Sequence, residues 1–169
     1  MARSHEIDNA APEAAQEILF KACGSTRWVT RMMARRPFGR DAKLLAVARV
    51  EWFGLTEADW LEAFAFHPQI GDRAALEARF PHTHDVSSKE QAAVGAAHAD
   101  VLTALAELNQ AYVEKFGFIF IVCATGKTAE DMLALLRERL PHDRASELRI
   151  AAEEQAKITA LRLSPPTSQ

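Results

Sequence analysis

Apolar residues recur at helical spacing along nearly the whole chain, and alanine, leucine and glutamate fill most positions. Residues 1–9 read as a polar lead-in. Pro12 opens a first helix that runs to about Lys21, with Gly24 ending it. Ser25 or Thr26 caps a second helix through Arg35, which Arg36-Pro37 and Gly39 break. Asp41 caps a third to about Phe53. Thr56 opens a fourth that ends near Phe66, and Asp59, three residues on, resembles the second half of a capping box.

The segment 67–87 is the main irregular stretch, with a short helix expected from Arg73 to Phe80. Ser87 or Ser88 caps the longest helix, about 88–115, and Gly117 interrupts it. Phe118 to Cys123 has strand propensity. A lone strand has no partner for its backbone, so the segment is read as a buried extended or distorted helical stretch. Thr128 caps a helix to about Leu140, and Asp143 leads a last one to about Leu163. The expected fold is all-α, one compact multi-helix domain over 1–169 with an irregular apolar segment near 117–125 and fraying at 1–9 and 164–169.

A length of 169 residues with 49% hydrophobic positions supports a core without staples. The formal net charge of -3 leaves no electrostatic footprint for nucleic acid. The Arg-rich stretch from Arg27 to Arg40 is local and reads as a helix with a solvated basic face. Two cysteines, Cys23 and Cys123, make no disulfide framework and fit a reduced compartment. The longest apolar run, Phe116 to Ala124, is too short to span a bilayer, and no secretory signal is recognised. A soluble cytoplasmic protein is expected.

Candidate chemistry concentrates in two places. His67 follows a bulky run from Trp60 and precedes Pro68, which restricts its backbone, and Gly71 permits a turn directly after. An imidazole titrates near neutrality and exchanges a proton at low cost. Alternatively, His67 is a helix-end histidine stabilised by the dipole. On the long helix, Glu90, Val94, Ala97, Val101, Leu105 and Leu108 share one face, which places Glu90 at the end of an apolar stripe. Helix amides favour its charged form and desolvation opposes it. That opposition suits an acid or a ligand anchor, or else a simple cap. Leu148, Gln155, Thr159 and Arg162 line one side of the last helix. Arg162 either lays its stem over the core and offers a planar fork to an anion, or is an ordinary surface arginine. Arg137, Arg139, Arg144 and Arg149 are expected to be solvated or in local ion pairs.

Weaker signals are set aside. Gly126-Lys127-Thr128 lacks the upstream glycine of a phosphate-binding loop, since Ile121 stands there, and reads as a turn and a cap. His82, His84 and Asp85, with His67, offer the donors of a zinc site in a loop; this is the metalloprotein alternative, tested by elemental analysis. Cys123 reads as a core thiol. A non-catalytic helical binding or adaptor domain is a further alternative.

Four stretches, taken in order, resemble the 2-oxo-4-hydroxy-4-carboxy-5-ureidoimidazoline decarboxylase family of urate breakdown. They are Phe66-His67-Pro68-Gln69-Ile70-Gly71, Ser87-Ser88-Lys89-Glu90-Gln91, Lys115 through Cys123, and Glu147 through Leu163. Members commonly carry arginine where this chain has Gln69. The resemblance implies an all-helical, cofactor-free, metal-free and usually dimeric carboxy-lyase acting on a small anionic ureidoimidazoline to give S-allantoin. It implies His67 as the catalytic imidazole, with Glu90 and Arg162 lining the same pocket and Pro68 packing on the ligand. Ser87, Ser88, Lys89, Glu90 and Gln91, with Ile119, Phe120, Ile121, Val122 and Cys123, are implied as further contacts. From charge and apolar run length, neither a nucleic acid nor a membrane is expected as a partner.

Overall fold

The computed structural model describes residues 2–68, 73–81 and 88–164, the side chains of 88–94 excepted. Among the described residues the only regular elements are helices. They are α1 (Arg3–Asn9), α2 (Pro12–Ala22), α3 (Thr26–Ala34), α4 (Asp41–Phe53), α5 (Glu57–Ala65), α6 (Arg73–Arg79), α7 (Ser88–Phe116), α8 (Ala129–Arg139) and α9 (Arg144–Leu163). None of them is long and apolar enough to cross a membrane.

Helices α3, α5, α8 and α9 begin where a side chain supplies the partner that a first-turn amide lacks. Ser25 Oγ accepts the Trp28 N–H at 3.3 Å. Thr56 with Asp59, and Thr128 with Asp131, form reciprocal capping boxes. Asp143 accepts the Ser146 N–H at 2.8 Å and leads α9. Gly117, at φ 80°, takes the left-handed turn that stops α7. Beyond it, 117–128 contains neither helix nor strand, as expected for this stretch.

The N-terminus departs from expectation. Residues 3–9 are not a lead-in but helix α1. Ile7, its one large apolar side chain, is fully buried. Long-range bonds complete its anchorage: Asp8 accepts the Phe38 and Gly39 N–H groups at 2.7–2.9 Å, and Arg36 Nη2 donates to the Asp8 and Ala10 carbonyls. Ser4 N–H donates to Asp41 Oδ1 at 2.7 Å. That bond takes Asp41 away from the capping role expected of it; Asp41 is the first residue of α4, and Arg40 precedes it with no side-chain cap.

The chain packs as two compact units. The first comprises Met1–His67, Ile121–Cys123 and Arg149–Gln169. Its core is organised by three indoles whose N–H groups each find a backbone carbonyl. Trp28 donates to Ala48 O at 3.0 Å, Trp52 to Ala152 O at 2.9 Å and Trp60 to Trp52 O at 2.9 Å. Each bond joins two helices while the ring beside it buries a large apolar area. The basic stretch keeps a solvated face, as expected, with the Arg27 and Arg35 side chains exposed, while Arg35 and Arg31 also pair with the buried Glu51 at 2.7 and 3.6 Å.

The second unit comprises Pro68–Phe120 and Ala124–Leu148. Among the described side chains of α7 the buried ones are Leu102, Leu105, Tyr112 and Phe116, whereas Ala97 is exposed and Val101 and Leu108 are half-buried. The inward face is therefore rotated from the stripe expected. Tyr112, on this inward face, belongs to a buried polar cluster with Arg139 and Glu147. Tyr112 Oη donates to Glu147 Oε1 at 2.6 Å, Arg139 Nε donates to the same oxygen at 2.5 Å, and His142 Nδ1 lies 3.1 Å from Oε2. Arg139 is thus in a local ion pair, but a buried one, with its guanidinium 4.5 Å above the Phe120 ring.

Candidate active site

The α5 helix ends at Ala65, and the His67 N–H still reaches back to Phe64 O at 3.1 Å. Pro68 disfavours another helical turn. The His67 ring is thereby held, half-buried, at the helix exit. Its Nε2 lies 2.5 Å from Oε1 of Gln155 on α9. Gln155 is completely buried, and one turn further its amide nitrogen donates to Thr159 Oγ1 at 3.1 Å. A buried amide bonded at both ends is a rigid support, because losing either partner leaves an unmatched polar group.

Arg162 stands in the last turn of α9. Its Nη1 lies 3.4 Å from the carbonyls of both Lys21 and Ala22, at the C-terminal end of α2. It therefore serves as a helix-end cation, as one expectation had it. Its charge also acts on the His67 imidazole. Burial pushes His67 below its ordinary value of 6.5, the Gln155 bond opposes this, and the Arg162 charge adds to the lowering. The ring is consequently neutral near pH 7. Nearby Cys23 is fully buried, and burial pushes its thiol up to about 12 against the Ser25, Thr159 and Arg162 interactions. It is no thiolate nucleophile.

The remaining expected residues are distributed as follows. Pro68 is exposed. Ser87 lies outside the described residues. Ser88, Lys89, Glu90 and Gln91 form the first turn of α7, and their side chains lie outside the described set. Ile119 and Phe120 are half-buried in the second unit, with the Phe120 ring 5.3 Å from that of Tyr112. Ile121 is buried and Val122 and Cys123 are half-buried; these three pack within the unit that holds His67 and Arg162. Gln155 carried no assigned role in the sequence. The signal the sequence did carry was its place on one side of the last helix with Thr159 and Arg162.

His82, His84 and Asp85 lie outside the described residues, and among the described ones no group of three metal-type donors occurs. Gly126, at φ 75°, and Thr128 act as the turn and cap expected of them. A cavity of about 210 Å³ in the second unit is lined by Arg73, Glu77, Phe80, His98 and Leu102. Its polar groups are already engaged: Arg73 donates to Glu77 and Thr103, and His98 Nε2 lies 2.7 Å from Phe80 O.

The sequence pattern of the OHCU decarboxylase family (2-oxo-4-hydroxy-4-carboxy-5-ureidoimidazoline decarboxylase) matches residues 8–164. The chain belongs to this family. It is 40% identical over 143 residues to the uric acid degradation bifunctional protein TTL of Arabidopsis thaliana, covering 84% of this chain but 44% of that protein. It thus spans less than half of that relative. A 2-oxo-4-hydroxy-4-carboxy-5-ureidoimidazoline decarboxylase of Haloferax volcanii is 27% identical over 143 residues, covering 81% of this chain and 79% of its own. The fold superposes on a crystal structure of an OHCU decarboxylase in the presence of (S)-allantoin with a TM-score of 0.70, at 37% identity, covering 91% of this chain and 96% of that one.

Proposed function

We propose that this chain removes carbon dioxide from 2-oxo-4-hydroxy-4-carboxy-5-ureidoimidazoline and yields (S)-allantoin, without a cofactor. The supporting observation is a neutral, half-buried imidazole braced by Gln155 beside the Arg162 guanidinium, in a chain of this family. The substrate carries hydroxyl and carboxylate on one ring carbon, next to the ring carbon that bears the ureido group. When the carbon–carboxylate bond breaks, its electron pair forms a double bond to the ureido-bearing carbon and displaces the ring C=N pair onto the ring nitrogen, which takes up a proton from solvent. The hydroxyl then loses its proton and becomes the product carbonyl, while the ureido-bearing carbon gains a proton on one face. The substrate is its own electron sink.

The protein orients the breaking bond and handles the protons. Neutral His67 takes the hydroxyl proton as carbon dioxide leaves, and the resulting imidazolium helps deliver the proton that sets the stereocentre. Arg162 pairs with the carboxylate or the developing oxyanion. Glu90 orients the ureido N–H groups. Gln91 and the backbone of Ile119 to Cys123 read the ring edge, Pro68 packs on it, and Ser87, Ser88 and Lys89 complete the contacts. The acting form is a cytoplasmic homodimer.

The test is conversion of freshly generated substrate followed by circular dichroism, against a protein-free blank because the substrate decays unaided. A rate above the blank with one enantiomer formed is expected. Racemic product at the blank rate would overturn the assignment.

A further inference from the structure

We infer that Gln155 is the positioning residue that fixes the tautomer of His67, keeping a proton on Nε2 and leaving Nδ1 as the base; this rests on His67 being the proton-transfer group. A neutral imidazole has one N–H donor and one acceptor nitrogen, and the bond made by one nitrogen decides the role of the other. The atom facing His67 Nε2 is Oε1 of Gln155, at 2.5 Å. A carbonyl oxygen only accepts, so Nε2 donates and the lone pair remains on Nδ1. The amide is held in this sense from behind. Its nitrogen is spent on Thr159 Oγ1 at 3.1 Å, on the next turn of the same helix, and both side chains are buried.

The arrangement does more than orient the ring. When Nδ1 takes a proton, the Nε2–H bond to the carbonyl becomes charge-assisted and strengthens. Gln155 thus supports the imidazolium that the reaction makes, while burial and Arg162 keep the resting ring neutral. The reverse amide orientation would aim an N–H at Nε2 and move the ring proton to Nδ1. The two arrangements differ in the nitrogen spectrum of the ring.

In ¹⁵N-histidine-labelled wild-type protein near pH 7.5 (about one unit above the ordinary histidine value), Nε2 is expected to be the protonated nitrogen of His67. Gln155→Leu should populate the other tautomer and lower kcat about 10- to 100-fold with KM within about threefold, since Gln155 does not touch substrate. It should also move the acid limb of kcat/KM to lower pH, and Gln155→Glu should move it to higher pH. A structural brace alone would move neither the tautomer nor the limb. Finding Nε2 unprotonated in the wild type overturns the inference, whether or not the variants fold. So does a Gln155→Leu protein with wild-type tautomer and pH profile. A wild-type protein with Nε2 protonated and no decarboxylation would instead overturn the proposed function and leave the tautomer assignment standing.

Discussion

A methyl group placed on Gly24 would lie 2.5 Å from both Cβ and Cγ of Phe66. The corner between α2 and α3 therefore meets the turn that carries His67 with no room for a side chain. The Phe66 ring completes the contact edge-on against Phe20, with centroids 4.8 Å apart. Because the crowded atoms sit at the base of the Phe66 side chain, a rotamer change does not relieve them.

Gly24→Ala should accordingly cost about 1–3 kcal/mol, the usual range for overpacking a fitted contact. It should also depress turnover, since the residue after Phe66 is His67. Urea midpoints and initial rates measured together check this. A variant matching wild type in both would mean that the two segments do not approach closely in solution.

His67→Asn keeps a polar side chain but cannot exchange a proton. Turnover should fall by about 100-fold or more, with the helical circular dichroism of the wild type preserved. Near-wild-type turnover would remove His67 from the chemistry.

The pH response of His67 has a defined sign. Its folded value lies below 6.5, through burial first and the Arg162 charge as well. Between that lower value and 6.5 the unfolded chain binds the proton and the folded chain does not. The stability tied to the neutral ring is complete above 6.5 and is lost as pH falls through the folded value. The same protonation consumes the base, so the acid limb of kcat/KM should have its midpoint below 6.5. Arg162→Gln should shift that midpoint upward while raising KM. A wild-type midpoint above 6.5 contradicts the assignment.

In the second unit, Glu147 is inaccessible to solvent and Arg139 is 5% exposed. Glu147→Ala would strand the guanidinium and should cost about 3–5 kcal/mol. Tyr112→Phe removes only one donor to that carboxylate and should cost less, about 1–3 kcal/mol. Denaturant titrations give the order directly, and equal losses would argue against a buried charge at position 147.

Elements written in local sequence patterns were legible from the start. Ser25, Thr56 and Thr128 cap their helices because a cap needs only a residue three positions on. What depends on distant partners was not. Glu147 gives no hint that Tyr112, 35 positions earlier, donates to it. Arg139 looks like any charged residue near a helix end until its carboxylate is known. On α7 the buried Tyr112 lies off the stripe that runs through Ala97 and Leu108, and its polar partners stand far away in sequence. At the site, His67 and Arg162 were legible as chemistry-bearing residues. Gln155 was not, since an amide inside a helix acquires meaning only from what faces it.

Helix α1 bears on where this protein can be cut. The span of family likeness opens at residue 8, inside the helix. A fragment trimmed to that span would discard Ile7 and Ser4 and leave the carboxylate of Asp8 without the turn that aims it at the amides of Phe38 and Gly39. Part of the foundation beneath the shared architecture is thus laid by residues outside the matched span, and a minimal version cut to that span would begin by undermining its own first corner.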